Sequence, residues 1–171
     1  MSLINVEQLG HLVYLAAGTP PGDWAEVGVY RGGSAERLAE KAREQGRRLW
    51  LFDTFTGIPC KAEIDAHKIG DFGDVAEADV RARIPDAVFV VGDCRATLKQ
   101  LPDVPLAFVH VDCDQYESVR ACIVELSPRM VRGGVMWFDD YRCLAGADRA
   151  VDELVGDRIE RHDCDKYFVR F

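Results

Sequence analysis

Five short apolar runs, at 24–29, 49–53, 88–91, 106–111 and 134–138, alternate along the chain with stretches of helical period near 34–45, 75–84, 95–101, 115–126 and 147–155. Strict alternation of that kind points to a parallel sheet, because parallel neighbours need a crossover and a helix is the usual one. A leading helix is expected over 5–17, ended by the break Gly18-Thr19-Pro20-Pro21-Gly22-Asp23. The last part reads differently. Residues 158–163 and 166–171 flank a short Cys164-Asp165 turn, as the two strands of a hairpin would. The fold expected is therefore an α/β, doubly wound, mostly parallel sheet with an antiparallel C-terminal strand. With 171 residues, 48% of them hydrophobic, the chain is long enough for one well-buried core, and a single domain is expected over 1–171. The longest irregular stretch, 54–74, reads as a functional lid loop.

In an open parallel sheet ligands collect beyond the C-terminal strand ends. Here those ends are acidic: Glu26, Asp53, Asp93, Asp112, and the pair Asp139 and Asp140. Between the first run and the first helical stretch lies Glu26-Val27-Gly28-Val29-Tyr30-Arg31-Gly32-Gly33-Ser34. Its glycines permit close approach of backbone N–H groups to a ligand, and the helix behind presents a positive dipole end. Tyr30 stands where a dinucleotide-binding turn needs its second glycine, so a nicotinamide cofactor fits poorly. Glu26 would repel a pyrophosphate and suits an ammonium or sulfonium; S-adenosylmethionine carries both. Asp53, 25 residues after Gly28, is placed to accept ribose hydroxyls, or else makes a strand-end turn. Asp93 either reads an adenine amine, with Cys94 beside it, or caps the following helix.

A net charge of −8 gives no support to nucleic-acid binding. The six cysteines have neither C-x-x-C spacing nor histidine pairing and read as free thiols in a reducing compartment, while no apolar run is long enough to span a membrane. A soluble, cytoplasmic protein is expected.

In the segment from Phe108 to Ser118, Asp112 ends a buried run, where an ionised carboxylate needs a cation or donors to compensate it. It is the stronger catalytic or metal candidate. Asp114, followed three residues later by Glu117, resembles a capping box and reads mainly as structural. Asp139 and Asp140 can share a site only if their strand ends there. Together with Asp112 they would form a hard-oxygen site for Mg²⁺ or another divalent cation; the alternative is that one points inward and the others meet solvent or Arg142. His110, inside an apolar strand, reads as a satisfied core residue, and Cys94 and Cys113 as small buried hydrophobes. His67 in the lid is either a candidate base for a substrate hydroxyl or simply solvated.

The set Glu26-x-Gly28-x-x-x-Gly32-Gly33-Ser34, Leu51-Phe52-Asp53-Thr54-Phe55-Thr56-Gly57-Ile58-Pro59, His110-Val111-Asp112-Cys113-Asp114-Gln115-Tyr116-Glu117-Ser118 and Phe138-Asp139-Asp140-Tyr141 resembles the macrocin O-methyltransferase family. The resemblance implies a Rossmann-like methyltransferase fold with a seven-stranded sheet. It also implies metal-dependent transfer of a methyl group from S-adenosylmethionine to a hydroxyl of a small molecule, often a sugar of a natural product. Carried over by position, it places the metal on Asp112, Asp139 and Asp140. The cofactor would fall on Glu26, Gly28, Tyr30, Gly32, Gly33, Ser34 and Asp53, and around Asp93 and Cys94, with Asp112 beside it. Members of the family usually carry a longer segment ahead of the first strand, which helps cover the site and build an oligomer. Two other readings stay open: a metal-independent methyltransferase of the same fold, and a non-catalytic cofactor-binding module. The edge strands and leading helix leave room for a homo-oligomer.

Overall fold

The computed structural model describes residues 4–171. Helix α1 (Val6–Ala17) starts where Asn5 accepts a hydrogen bond from the Gln8 N–H at 2.8 Å. Then follow β1 (Asp23–Val27), α2 (Gly33–Glu44), β2 (Leu49–Asp53), α3 (Glu77–Arg83), β3 (Val88–Val91) and α4 (Cys94–Thr97). The second half holds β4 (Leu106–Val111), α5 (Tyr116–Leu126), β5 (Met130–Phe138), α6 (Ala145–Val155), β6 (Ile159–Arg161) and β7 (Tyr167–Arg170). They build one seven-stranded sheet in the order β3-β2-β1-β4-β5-β7-β6. Only β7 runs antiparallel to its neighbours β5 and β6. The expected doubly wound sheet is present.

Alternation along the strands divides the core between two faces. Trp24, Leu51, Phe108 and Trp137 face one way, against Leu12 of α1 and Leu38 of α2. Ala25, Val27, Phe52, Val109, Val111 and Phe138 face the other, against Val119 and Ile123 of α5 and Val151 of α6. Truncating a fully buried aromatic such as Phe108 to alanine would cost about 3–5 kcal/mol.

Several element boundaries differ from expectation by one or two residues, and three differences matter for the sheet and the site. β1 ends at Val27, so Glu26 is its penultimate residue. β5 begins at Met130; its pairing with β4 jumps from Leu106↔Met130 to Phe108↔Val135, an irregularity that takes up the Gly133-Gly134 pair. α4 is a single turn continued by a 3₁₀ turn. Residues 54–74 contain no helix or strand, as expected, but they are internally tied. The Ile58 N–H donates to the Asp71 carbonyl at 2.9 Å and the Gly70 N–H to the Ile58 carbonyl at 3.0 Å. No helix among the described residues is long and apolar enough to cross a membrane.

The chain leaves β1 outward through β2 and β3, then returns to β1's other side with β4. That reversal opens a crevice between the C-terminal ends of β1 and β4, the place where open α/β sheets bind ligands.

Candidate active site

A cavity of about 400 Å³ occupies this crevice. Its floor is the turn after β1. Gly28 has φ +91°, and a Cβ there would lie 1.7 Å from the Asp112 carbonyl oxygen, so close approach of β1 to β4 is what requires this glycine. Tyr30 adopts φ +47° and its hydroxyl donates to Asp74 at 2.9 Å. Asp53 fixes the turn: one carboxylate oxygen accepts the Val29 N–H at 2.6 Å and the Tyr30 N–H at 2.8 Å, and the other accepts the Phe55 N–H at 2.7 Å.

Of the residues expected at a cofactor, Gly28, Tyr30, Gly33, Ser34, Asp53, Cys94 and Asp112 line the cavity. Three do not. Gly32 is the left-handed cap of α2 (φ +75°) and packs on Val80, which a Cβ would approach to 2.8 Å. Asp93 caps α4 by accepting the Arg95 N–H at 3.0 Å, and its carboxylate pairs with the Arg95 guanidinium at 2.5 Å. Of its two expected roles the structure gives it the cap. Glu26, expected to meet a cationic ligand, is instead fully buried; strand register sets it opposite His110, whose Nδ1 lies 2.7 Å from its carboxylate.

Asp112, Asp139 and Asp140 do come together, each offering an oxygen within 4.8 Å of the others. β5 stops at Phe138, which releases the two aspartates from strand alternation as their shared site requires. The Asp139 N–H still bonds the Val111 carbonyl at 3.0 Å, and an Asp140 oxygen accepts the Asp114 N–H at 3.0 Å. Burial, and then the charges of Asp139 and Asp140, push the Asp112 carboxyl well above its usual range. Asp140 is raised to about 6 by burial and by Asp139. Asp139 goes the other way. Burial would raise it, but His110 and Lys166 hold it below the ordinary carboxylate value.

His110 Nε2 lies 3.9 Å from Asp139. Burial disfavours its charged form, yet Asp139 and Glu26 outweigh burial and bring it to about 10. His110 Nε2 and Asp139 Oδ1 are both buried without a hydrogen bond, so the satisfied core histidine expected from sequence is satisfied on one side only. Three carboxylates with oxygens this close together, two of them raised by burial and by their neighbours' charges, form an all-oxygen donor set that fits a hard divalent cation.

The expected capping box at Asp114 and Glu117 is absent. Gln115 takes the cap position of α5 without a side-chain bond, and a residue of the irregular segment supplies the acceptor. Asp65, buried, accepts the Tyr116 N–H at 2.9 Å and the Ala62 N–H at 2.7 Å. Freed from capping, Asp114 sits at φ +60° on the cavity wall, where burial and the charges of Asp140 and Asp139 raise it to about 8. Its carboxylate is 3.5 Å from Nε2 of His67, which the Gln115 amide, donating to the His67 carbonyl at 3.3 Å, helps hold beside the cavity. The six cysteines are free; Cys94 and Cys113 lie in the cavity wall, and the Cys113 sulfur is 3.8 Å from that of Cys122.

Three contributors carry no signal of their role in the sequence. Asp65 lies in a stretch without periodicity, Lys166 reaches Asp139 from the turn before β7, and Asp114 is disguised by its spacing to Glu117. Positive φ on the cavity wall, with its N–H donated to Asp140, is the feature that marks Asp114, and that feature is three-dimensional.

The family described as Macrocin-O-methyltransferase (TylF) matches residues 6–162. The chain is 32% identical over 174 residues to the 8-demethyl-8-(2,3-dimethoxy-alpha-L-rhamnosyl)-tetracenomycin-C 4'-O-methyltransferase of Streptomyces olivaceus, covering 88% of this chain and 66% of that one. It is 30% identical over 151 residues to the demethyldecarbamoylnovobiocin O-methyltransferase of Streptomyces niveus, covering 78% and 58%. The chain thus spans less than two thirds of the length of these relatives. Among solved structures, the O-methyltransferase NovP superposes with a TM-score of 0.84 at 25% identity, over 99% of this chain and 81% of that one. The chain belongs to the macrocin O-methyltransferase family.

Proposed function

We propose that the chain transfers the methyl group of S-adenosylmethionine to a hydroxyl of a small molecule, a sugar borne by a natural product, with a divalent cation held by Asp112, Asp139 and Asp140. The observation that carries this reading is the carboxylate cluster at the ends of β4 and β5, facing the same cavity as the glycine turn. The names of the tetracenomycin relative and of the novobiocin relative support a hydroxyl acceptor. A cation bound by the three aspartates would supply Lewis acidity to the acceptor hydroxyl, and the cofactor would supply an electrophilic methyl on sulfur.

The protein's own part is positioning and proton transfer. Asp53 holds the turn through Val29 and Tyr30 so that the floor is shaped in advance. Asp114, rather than Asp112, takes the acceptor's proton: Asp112 is one of the three clustered oxygens, whereas Asp114 stands beside them on the cavity wall, where a cation held by the cluster would keep its carboxylate ionised. His67, 3.5 Å away, orients that carboxylate and shields it under the segment 54–74, which acts as the lid. The acceptor oxygen forms its bond to carbon as the carbon–sulfur bond breaks, and the proton passes to Asp114.

Calorimetric titration with S-adenosylmethionine and with Mg²⁺, in the wild type, Asp53→Ala and Asp139→Ala, tests the assignment. Cofactor binding should fail in D53A and persist in D139A, with Mg²⁺ binding lost in D139A. Turnover of a rhamnoside panel that survives a chelator would favour metal-independent transfer instead.

A further inference from the structure

Asp139 is the one member of the acidic cluster whose carboxylate is met by fixed positive groups. Lys166, 7% exposed, stands in the turn between β6 and β7. Its Nζ donates to the Asp139 carbonyl at 2.6 Å and lies 3.0 Å from the Asp139 carboxylate. Its own backbone is pinned as well: the His162 N–H donates to the Lys166 carbonyl at 2.7 Å, and Asp165 turns the chain at φ +58°. His110, braced by Glu26, stands 3.9 Å from the same carboxylate oxygen. A carboxylate just past the end of β5 is thus gripped at backbone and side chain by one lysine.

We infer that Lys166 is a positioning residue for the cation site: it fixes the direction of the Asp139 carboxylate so that Asp112, Asp139 and Asp140 present their oxygens as a set. This rests on the cation reading above. Groups that hydrogen-bond metal-binding carboxylates commonly contribute about 10–100-fold to metal affinity by orienting them. The opposite role is also physically available, because an ammonium beside the site repels a divalent cation and its removal would tighten binding. The two roles predict opposite signs.

The measurement is Mn²⁺ titration followed by electron paramagnetic resonance of the free ion, on the wild type, Lys166→Met, Lys166→Arg and Asp139→Asn. Melting curves and S-adenosylmethionine titrations are run on the same samples. The expected result is Mn²⁺ affinity lowered about 10-fold or more in K166M, partly restored in K166R, and nearly abolished in D139N, with cofactor affinity unchanged. Equal or tighter Mn²⁺ binding by K166M overturns the positioning role and leaves the cation site standing. Absence of Mn²⁺ binding in the wild type overturns both. Should K166M fail to fold, Lys166→Gln, which keeps a donor for the Asp139 carbonyl, separates the two roles by the same difference in sign.

Discussion

Gly146, the second residue of α6, is where the irregular segment and the helical layer meet most tightly. A Cβ at this position would lie 2.0 Å from the Asp65 carboxylate oxygen that caps α5. Gly146→Ala must therefore expel Asp65. The loss is that of a helix cap with its part-buried partner N–H, that of Tyr116, left without an acceptor, about 2 kcal/mol. Against it stands the gain of alanine over glycine in a helix, up to about 1 kcal/mol. The net cost should be about 1 kcal/mol, or roughly 2–4 °C of melting temperature for a chain of this length. In an Asp65→Ala background the tightest contact is gone and the Tyr116 backbone nitrogen, 3.0 Å from the Cβ, remains, so the same substitution should cost about 2 kcal/mol less than in the wild type. A four-way cycle of wild type, G146A, D65A and the double variant, melted by circular dichroism, measures the coupling, expected near about 2 kcal/mol. Limited proteolysis within 61–71 should accelerate in G146A, because Asp65 ties that segment to α5. If G146A costs the same in both backgrounds, Asp65 is not held against α6 as described.

The acidic cluster makes stability depend on pH in a defined direction. In the folded protein Asp140 lies at about 6, Asp114 at about 8 and His110 at about 10, each above its ordinary value. The folded state accordingly holds more protons than the unfolded one, and stability falls as pH rises through these values. Lowered Asp139 acts oppositely, but only in acid below the ordinary carboxyl range. The melting temperature without divalent cations should drop between about pH 5 and about pH 8, and millimolar Mg²⁺ should restore most of the loss at the upper end; a rise with pH would contradict the assignment. Gly28→Ala, with its Cβ 1.7 Å from the Asp112 carbonyl, should destabilise the protein by about 3 kcal/mol or more and abolish Mn²⁺ and cofactor binding together. Retention of either ligand by a folded G28A would show that the two strands can part without harm.

The strands at 49–53, 88–91 and 106–111 are legible to the residue, because each is a short apolar run ended by a charge or a glycine. Asp112, Asp139 and Asp140 are legible for the same reason: strand ends put them in one crevice. Glu26 misleads, since its partner His110 is 84 positions away and only the parallel register of β1 with β4 sets them side by side. Asp114 is hidden by a local pattern that tertiary structure overrides, Asp65 having taken the cap. Lys166 cannot be found from spacing at all, because its contact depends on β7 entering the sheet beside β5.

That entry has a consequence for biosynthesis. β6 precedes β7 in the chain, yet β7 lies between it and β5, so during vectorial synthesis β6 has no strand to join until residues 167–170 have emerged. The turn that delivers β7 also delivers Lys166 to Asp139. A nascent chain short of this point carries three crowded aspartates without that ammonium and a sheet still open at β5, an edge inviting the wrong partner. Closure of the sheet at β5 and arrival of an ammonium at its acidic corner are coupled, because Lys166 immediately precedes β7 in the chain.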